Sequence, residues 1–207
     1  MGEVERNFPL FPLGLVALPS EYVPLHIFEE RYTTMIGEVL EREREFGIVW
    51  LAEDELKVVG CAVAVDEVLE RMDDGRINIL CHGTRPFRLL ERQDDLPYPA
   101  GTVEFLDDKP EAANERAAEK AHEAYSTLVE QAADRHLENE EIEAMSAYEM
   151  AATIDFGLEA KQGLLELRSE NARLRLVDRL FSAATKRLDY VERAQARALS
   201  NGKVRFG

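Results

Sequence analysis

The sequence is poor in the residues from which a catalytic or metal site is usually read. Its 207 residues hold one tryptophan, two cysteines and four histidines. His26, His82, His122 and His136 stand at no metal-ligand spacing to one another or to a cysteine. His82 follows Cys81, but neighbours on a strand point to opposite faces. No G-x-x-x-x-G-K-[ST] run occurs, and the Lys203 of Gly202-Lys203 is followed by valine, so a phosphate-cradling loop is excluded. Ser182 and Lys186 lie one helical turn apart and mimic a nucleophile–base dyad. Lys186 belongs to a polar face, however, whereas such a base has to be desolvated, so the pair reads as an exposed helix pair. Long apolar runs are absent, which excludes a bilayer span. The start, Met1-Gly2-Glu3-Val4-Glu5-Arg6, is neither a signal peptide nor a myristoylation signal. Basic residues are the scarcer charge, 25 against 41 acidic ones, for a net −16. That balance disfavours non-specific contact with nucleic acid or anionic membrane. These absences lead to the expectation of a cytoplasmic, cofactor-free, non-catalytic protein.

What is present is a core-sized apolar content, 45%, arranged in two periodicities. A segment from Pro24 to Tyr32 starts as a strand, with Leu25, Ile27 and Phe28 apolar, and changes at Glu29 to helical spacing through Tyr32, Met35, Ile36, Val39 and Leu40. Glu29 and Glu30 suit the positive end of a helix over about 29–45. Strands are predicted at 8–18 (an edge or bulged strand, because of Pro9 and Pro12), 48–52, 57–72, 76–82, 86–90 and 102–106, with Gly83 breaking the run between the fourth and fifth. Asp73-Asp74-Gly75 is a hairpin signal. A turn centred on Asp74 sets Leu69 opposite Ile79 and Cys81 opposite Glu67, away from Cys61, so both cysteines read as small buried hydrophobes. Glu53-Asp54-Glu55 and Asp94 to Pro99 read as loops. After Asp107 the pattern turns helical: a helix from Pro110 to about 135, a second over 139–153, a short third over 160–167, and a long last helix over about Ser169–Leu199. Many short strands followed by helices give an α+β fold, a small barrel carrying one inserted helix and then a helical bundle, divided at 1–107 and 108–207.

Phe8-Pro9-Leu10-Phe11-Pro12-Leu13, followed about a dozen residues later by Pro24-Leu25-His26-Ile27-Phe28-Glu29-Glu30-Arg31-Tyr32, resembles the start of the Lon protease N-terminal, substrate-binding domain family. Val59-Gly60, the Asp74-Gly75 hairpin and Gly83-Thr84-Arg85-Pro86-Phe87 resemble the family's barrel. Lys161 to Glu166, then Arg173-Leu174, resembles the entry to its last helix, with Gly163 where alanine is expected. The resemblance runs over roughly 8–199. It implies a PUA-like pseudo-barrel before the bundle, in a stand-alone bacterial form without ATPase or protease domains. It also implies a role in binding unfolded protein segments or a protein partner, as an adaptor in protein quality control. The alternative is an RNA- or nucleotide-binding PUA-like module, which the acidic barrel half opposes, since residues 1–107 carry 22 acidic and 10 basic residues.

By motif position, the candidate binding residues are His26, Phe28, Arg31, Tyr32, Phe11 and Tyr98, expected to line a groove. Each has a plainer reading: a satisfied barrel histidine, an Arg31–Glu29 ion pair, aromatics beside prolines. Trp50 reads as core. The last helix is two-sided. Leu174, Val177, Phe181, Ala184, Leu188 and Val191 form an apolar seam. Arg168, Arg175, Arg179, Lys186, Arg193 and Arg197 fall on the opposite side within an arc of ~40°. This basic strip is a solvated face, a face packed near the acidic helices, or a docking strip for an acidic partner, protein or nucleic acid, of which the acidic body of the chain favours protein.

Overall fold

The structure, a computed structural model, describes residues 2–53, 55–93, 95–133 and 138–201. The expectations placed on Asp54, Asp94, the end of the first bundle helix at 134–135, His136, Gly202 and Lys203 fall outside those residues. The order is β1 (Val4–Leu13), β2 (Tyr22–Ile27), α1 (Glu30–Glu41), β3 (Phe46–Ala52), β4 (Glu55–Leu56), β5 (Val59–Arg71), β6 (Ile77–Gln93) and β7 (Ala100–Phe105). Then come α2 (Glu115–Ala133), α3 (Asn139–Glu143), α4 (Ala147–Ala152), α5 (Leu158–Glu166) and α6 (Glu170–Asn201). This is the expected α+β order, strands with one inserted helix before a helical bundle ending in a long helix.

The strands run β1-β7-β6-β5-β3-β4, and a parallel pairing of β1 with β3 closes the ring. β1 is therefore no edge strand. It pairs with β7 around a bulge between Glu5 and Phe8, then with β3 from Leu10 to Leu13. Its prolines are tolerated where it passes from one partner to the other. Inside the ring, Phe8 packs edge-on against Phe87 and Phe105 at 5.5 Å, with Leu10, Val49, Ala62 and Val103 around them. A second, larger core lies outside it, beneath α1 and the bundle. It joins Phe11, Tyr32, Met35 and Phe46 to Tyr148, Leu164, Val177 and Phe181. Edge-on aromatic packing and continuous burial of this kind are the main stabilising terms.

Four local expectations are corrected. Gly83 does not break its strand, and β6 runs through it. It is glycine because the Leu18 carbonyl lies against it, where a Cβ would stand 1.9 Å from that oxygen. The β5–β6 hairpin closes at Met72 and Arg76 with Gly75 at φ 90°, but bulges shift its register. Val68 faces Ile79, Val65 faces Cys81, and Cys61 faces Pro86. Pro110 lies ahead of α2 rather than in its first turn, and the Asn114 side chain accepts from the Ala117 N–H at 3.0 Å. The expected helix over 139–153 is two helices, because Ser146 and Glu149 form a capping box that starts α4 afresh.

The helices are tied to the strands by charge as well as by apolar contact. Lys161 of α5 pairs with Glu21, both largely buried. Arg173 of α6 is buried over the Tyr148 ring at 4.4 Å, and it pairs with Asp108 and with Glu170. The α6 seam is buried at Leu174, Val177 and Phe181, half-buried at Ala184 and Leu188, and exposed at Val191.

Candidate functional site

β2 is hydrogen-bonded to β6 alone, which leaves its other edge without a strand partner among the described residues. Its side chains alternate: Val23, Leu25 and Ile27 enter the core, while Tyr22, Pro24 and His26 face out. The main-chain phase follows from one bond. The Gly83 N–H donates to the Glu21 carbonyl at 2.8 Å, so Glu21 points its carbonyl toward β6. In an antiparallel pair the direction alternates along the strand, so Val23, Leu25 and Ile27 also turn to β6. Tyr22, Pro24 and His26 turn theirs to the open edge. Pro24, which has no N–H, is compatible with that side only.

Beside this edge lies an apolar and aromatic row. Tyr22 is 62% exposed and Phe28 64%, while Leu69, 51% exposed, stands on β5 across β6 from that edge. His26 stacks on Phe28 with centroids 5.8 Å apart, and Tyr22 lies 6.2 Å from His82. A hollow of about 450 Å³ is lined by Pro24, His26, Leu69, Glu70 and Asn78. The polar groups in it form a relay. Asn78 Nδ2 donates to Glu70 at 2.9 Å, so Asn78 Oδ1 is an acceptor and His26 Nδ1, 2.6 Å away, carries the proton. His82 Nδ1 stands 3.5 Å from Asp66 across the same sheet face. The patch thus joins main-chain donors and acceptors, exposed apolar rings and acidic side chains.

The motif-derived groove residues separate into two groups. His26, Phe28 and Arg31 are exposed at or beside this edge, with Arg31 paired to Glu29 at 2.8 Å. Phe11, Tyr32 and Tyr98 are core residues instead. Phe11 and Tyr32 stack at 4.1 Å, and the Tyr98 hydroxyl donates to Glu38 at 2.9 Å. Burial raises the pKa of both tyrosines, and the Glu38 hydrogen bond adds to it at Tyr98. Phe11 is enclosed because β1 is buried at both parities from Phe8 to Phe11, Tyr32 lies on the buried face of α1, and Tyr98 precedes β7 with its hydroxyl on Glu38. Leu69, Glu70 and Asn78 were not singled out in the sequence. The β2–β6 pairing sets Asn78 opposite His26, and the bulged β5–β6 register then sets Glu70 opposite Asn78.

In the basic strip, Arg175, Arg179, Lys186, Arg193 and Arg197 are exposed on α6. Arg193 stands 4.0 Å from Asp189. Arg168 is no part of that face. It precedes α6, and its guanidinium donates to the Asp107 carbonyl. Arg175 acts within the chain, since Glu111 is held below the ordinary carboxyl range by the Asn171 N–H, then the Ser169 hydroxyl, and last by Arg175. Among the described residues no group of His, Cys, Asp and Glu is placed to hold a metal, and no helix is long and apolar enough to cross a membrane.

The comparisons with known proteins agree with this architecture. The N-terminal domain of a Mycobacterium avium complex Lon protease superposes with a TM-score of 0.65 at 17% identity, over 87% of this chain and 98% of that one. A Lon N-terminal domain protein from Xanthomonas campestris gives 0.63 at 20%, over 81% and 94%. In sequence, Lon protease 2 of Myxococcus xanthus is 24% identical over 198 residues, 87% of this chain and 24% of its own length. The Lon protease of Paraburkholderia phytofirmans is 25% identical over 206 residues, 92% of this chain and 24% of its own length. The chain thus spans about a quarter of the length of these relatives. Residues 7–182 match the family model of the ATP-dependent protease La (LON) substrate-binding domain, and the chain belongs to that family.

Proposed function

We propose that this chain is a non-catalytic recognition module that binds unfolded polypeptide segments by adding them as a strand to the open edge of β2. The observation that carries the reading is the outward phase of Tyr22, Pro24 and His26. It offers main-chain hydrogen bonds to any extended chain, whatever its sequence. The exposed rings of Tyr22 and Phe28 supply sequence-tolerant apolar contact, and the hollow at His26 takes one alternate side chain of the added strand. Membership of a substrate-binding family supports a substrate-recognition role. Delivering the bound segment to a protease, as an adaptor in protein quality control, is the finer form of the proposal. In that form the strand half at 1–107 holds the segment, and the bundle half at 108–207 presents the basic strip of α6 to an acidic protein partner.

The test is anisotropy of a labelled, permanently unfolded probe protein, with labelled RNA of similar length alongside. Saturable binding of the protein probe is expected, weakened about thirtyfold by Tyr22→Ala with Phe28→Ala, since each exposed aromatic contributes on the order of 1 kcal/mol. A peptide N-methylated at alternate positions should lose binding in one of its two phases, as strand addition requires. Equal affinity of the double variant, or binding of RNA without the protein probe, refutes the reading.

A further inference from the structure

The apolar seam of α6 loses its cover toward Val191, and a groove of about 1050 Å³ opens there between α6 and α2. The two helices run side by side in the same direction. The Asn114 N–H, just ahead of α2, donates to Asn171 Oδ1 at 2.9 Å, and Gln131 Nε2, near its end, donates to Asp189 Oδ1 at 2.6 Å. The α4–α5 connection shuts one end of the groove, where the Tyr125 and Phe156 rings lie 5.5 and 6.4 Å from that of Phe181. From there to Val191 the walls are Leu128, Val129, Leu180, Ala184 and Leu188. Leu128 is buried, the next four are half-buried, and Val191 is 42% exposed. The two helices thus cover one side of their apolar stripes and leave the other open.

The lining decides what can lie there. Its polar side chains are Tyr125, Thr153, Asp155 and Arg187. The Tyr125 and Thr153 hydroxyls bond to each other at 3.0 Å, and Asp155 accepts from the Gly157 N–H at 3.2 Å. The main-chain groups of both walls are spent inside their own helices. An extended segment would leave its N–H and C=O groups unpaired against hydrocarbon, whereas a helix brings its own already satisfied. The open stretch from Leu180 to Val191 is about 17 Å long, room for about three turns. A face of that length and two helices wide is on the order of 350 Å², less than half of the ~800 Å² that each partner of a stable dimer buries, which disfavours a second copy. Arg187 is the cation on the α6 wall, exposed and without an ion pair among the described residues. Lys186 and Arg193, also exposed, lie on the flank beyond it. We infer that the α2–α6 groove receives an amphipathic helix of about three turns from an acidic protein partner, its apolar stripe in the groove and its carboxylates beside Arg187. This rests on the adaptor form of the reading above, to whose acidic partner it gives a shape.

The probe is a labelled peptide of about four turns, held helical by α-aminoisobutyrate, with leucines at i, i+3, i+4 and i+7 and glutamates along one flank. One twin carries lysines on that flank, and another a central proline. Anisotropy is read against the whole chain. Saturable binding of the glutamate peptide is expected, about fivefold weaker with the lysine twin and lost with the proline twin. Arg187→Glu should reverse the preference between the two charged twins, an effect that a loss of folding cannot mimic. Val191→Asp, at an exposed position, should weaken binding about tenfold. Equal binding of the charged twins, an unchanged preference in Arg187→Glu, or binding of the proline twin overturns the assignment. So does a dimer, seen by sedimentation of the protein alone, that Val191→Asp dissociates, because a second copy then fills the groove. An acidic partner that is lost on reversing Arg175, Arg179 and Lys186 but kept by Val191→Asp overturns the groove and leaves the adaptor reading standing. If no peptide binds and no acidic partner is recovered, both fall.

Discussion

Replacing Gly83 by alanine tests how the strand that carries the candidate edge is held. The added Cβ would lie 1.9 Å from the Leu18 carbonyl oxygen and 2.8 Å from its carbon, distances real Cβ atoms do not show. The obstacle is backbone on both sides, so no rotamer change relieves it. The Leu18–Glu21 turn has to retreat by about 1 Å to clear such a contact. Two hydrogen bonds are then strained, Ser20 N–H to Gly83 O and Gly83 N–H to Glu21 O, each 2.8 Å. Their loss costs about 1 kcal/mol each. Leu18, fully buried, has to repack, at about 1–2 kcal/mol. A total near 3–4 kcal/mol lowers Tm by about 10 °C in a chain of this length. Gly37 is the control, because it is an exposed position inside α1 with nothing within 4 Å of a Cβ. Gly37→Ala should raise Tm by about 2 °C, the ordinary helix-propensity gain. Differential scanning calorimetry of the two variants decides the matter. A Gly83→Ala protein melting within about 2 °C of the parent would refute the close-approach argument. The same displacement should weaken the unfolded probe at the β2 edge, whereas Gly37→Ala should not.

Arg173→Met should cost about 2–3 kcal/mol, seen as a Tm lower by about 6 °C. This is below the cost for a fully enclosed pair, because the side chains of Asp108 and Glu170, left behind, are 44% and 34% exposed and can be rehydrated. Glu149 is held below its ordinary 4.5 by the Ser146 N–H and then the Ser146 hydroxyl. A depressed carboxyl contributes stability above its unfolded value, and that contribution is lost as pH falls through the folded one. Glu149→Gln should therefore lower Tm at pH 7 and narrow the gap to the parent as pH drops below about 4.5, in a pH series of melts. Reversing Arg175, Arg179 and Lys186 to glutamate should remove an acidic partner from a pull-down. Tm should be nearly unchanged, since all three are exposed; a fall of more than about 4 °C would make the strip structural.

Most elements were legible in the chain because their signals are local. The shift from alternating to helical spacing near Glu29 sets β2 against α1, and the seam from Leu174 to Phe181 is buried as its spacing requires. The motif pair at Phe8 and Pro24 pointed to the family that the comparison confirms. The candidate site was half legible. His26 and Phe28 were singled out and are exposed, but Phe11, Tyr32 and Tyr98 are enclosed. Hydrophobicity says that a side chain seeks burial, not how many faces of its strand are covered. That number depends on the closure of β1 onto both β7 and β3, and on α1 lying across it. Register was beyond the sequence for a related reason. The bulges of β5 set Val65 opposite Cys81, and with it Glu70 beside Asn78, through the summed packing of both sheet faces. The open edge of β2 is likewise a tertiary fact. It is defined by which neighbour is missing, and a neighbour distant in sequence is set only when the chain is folded.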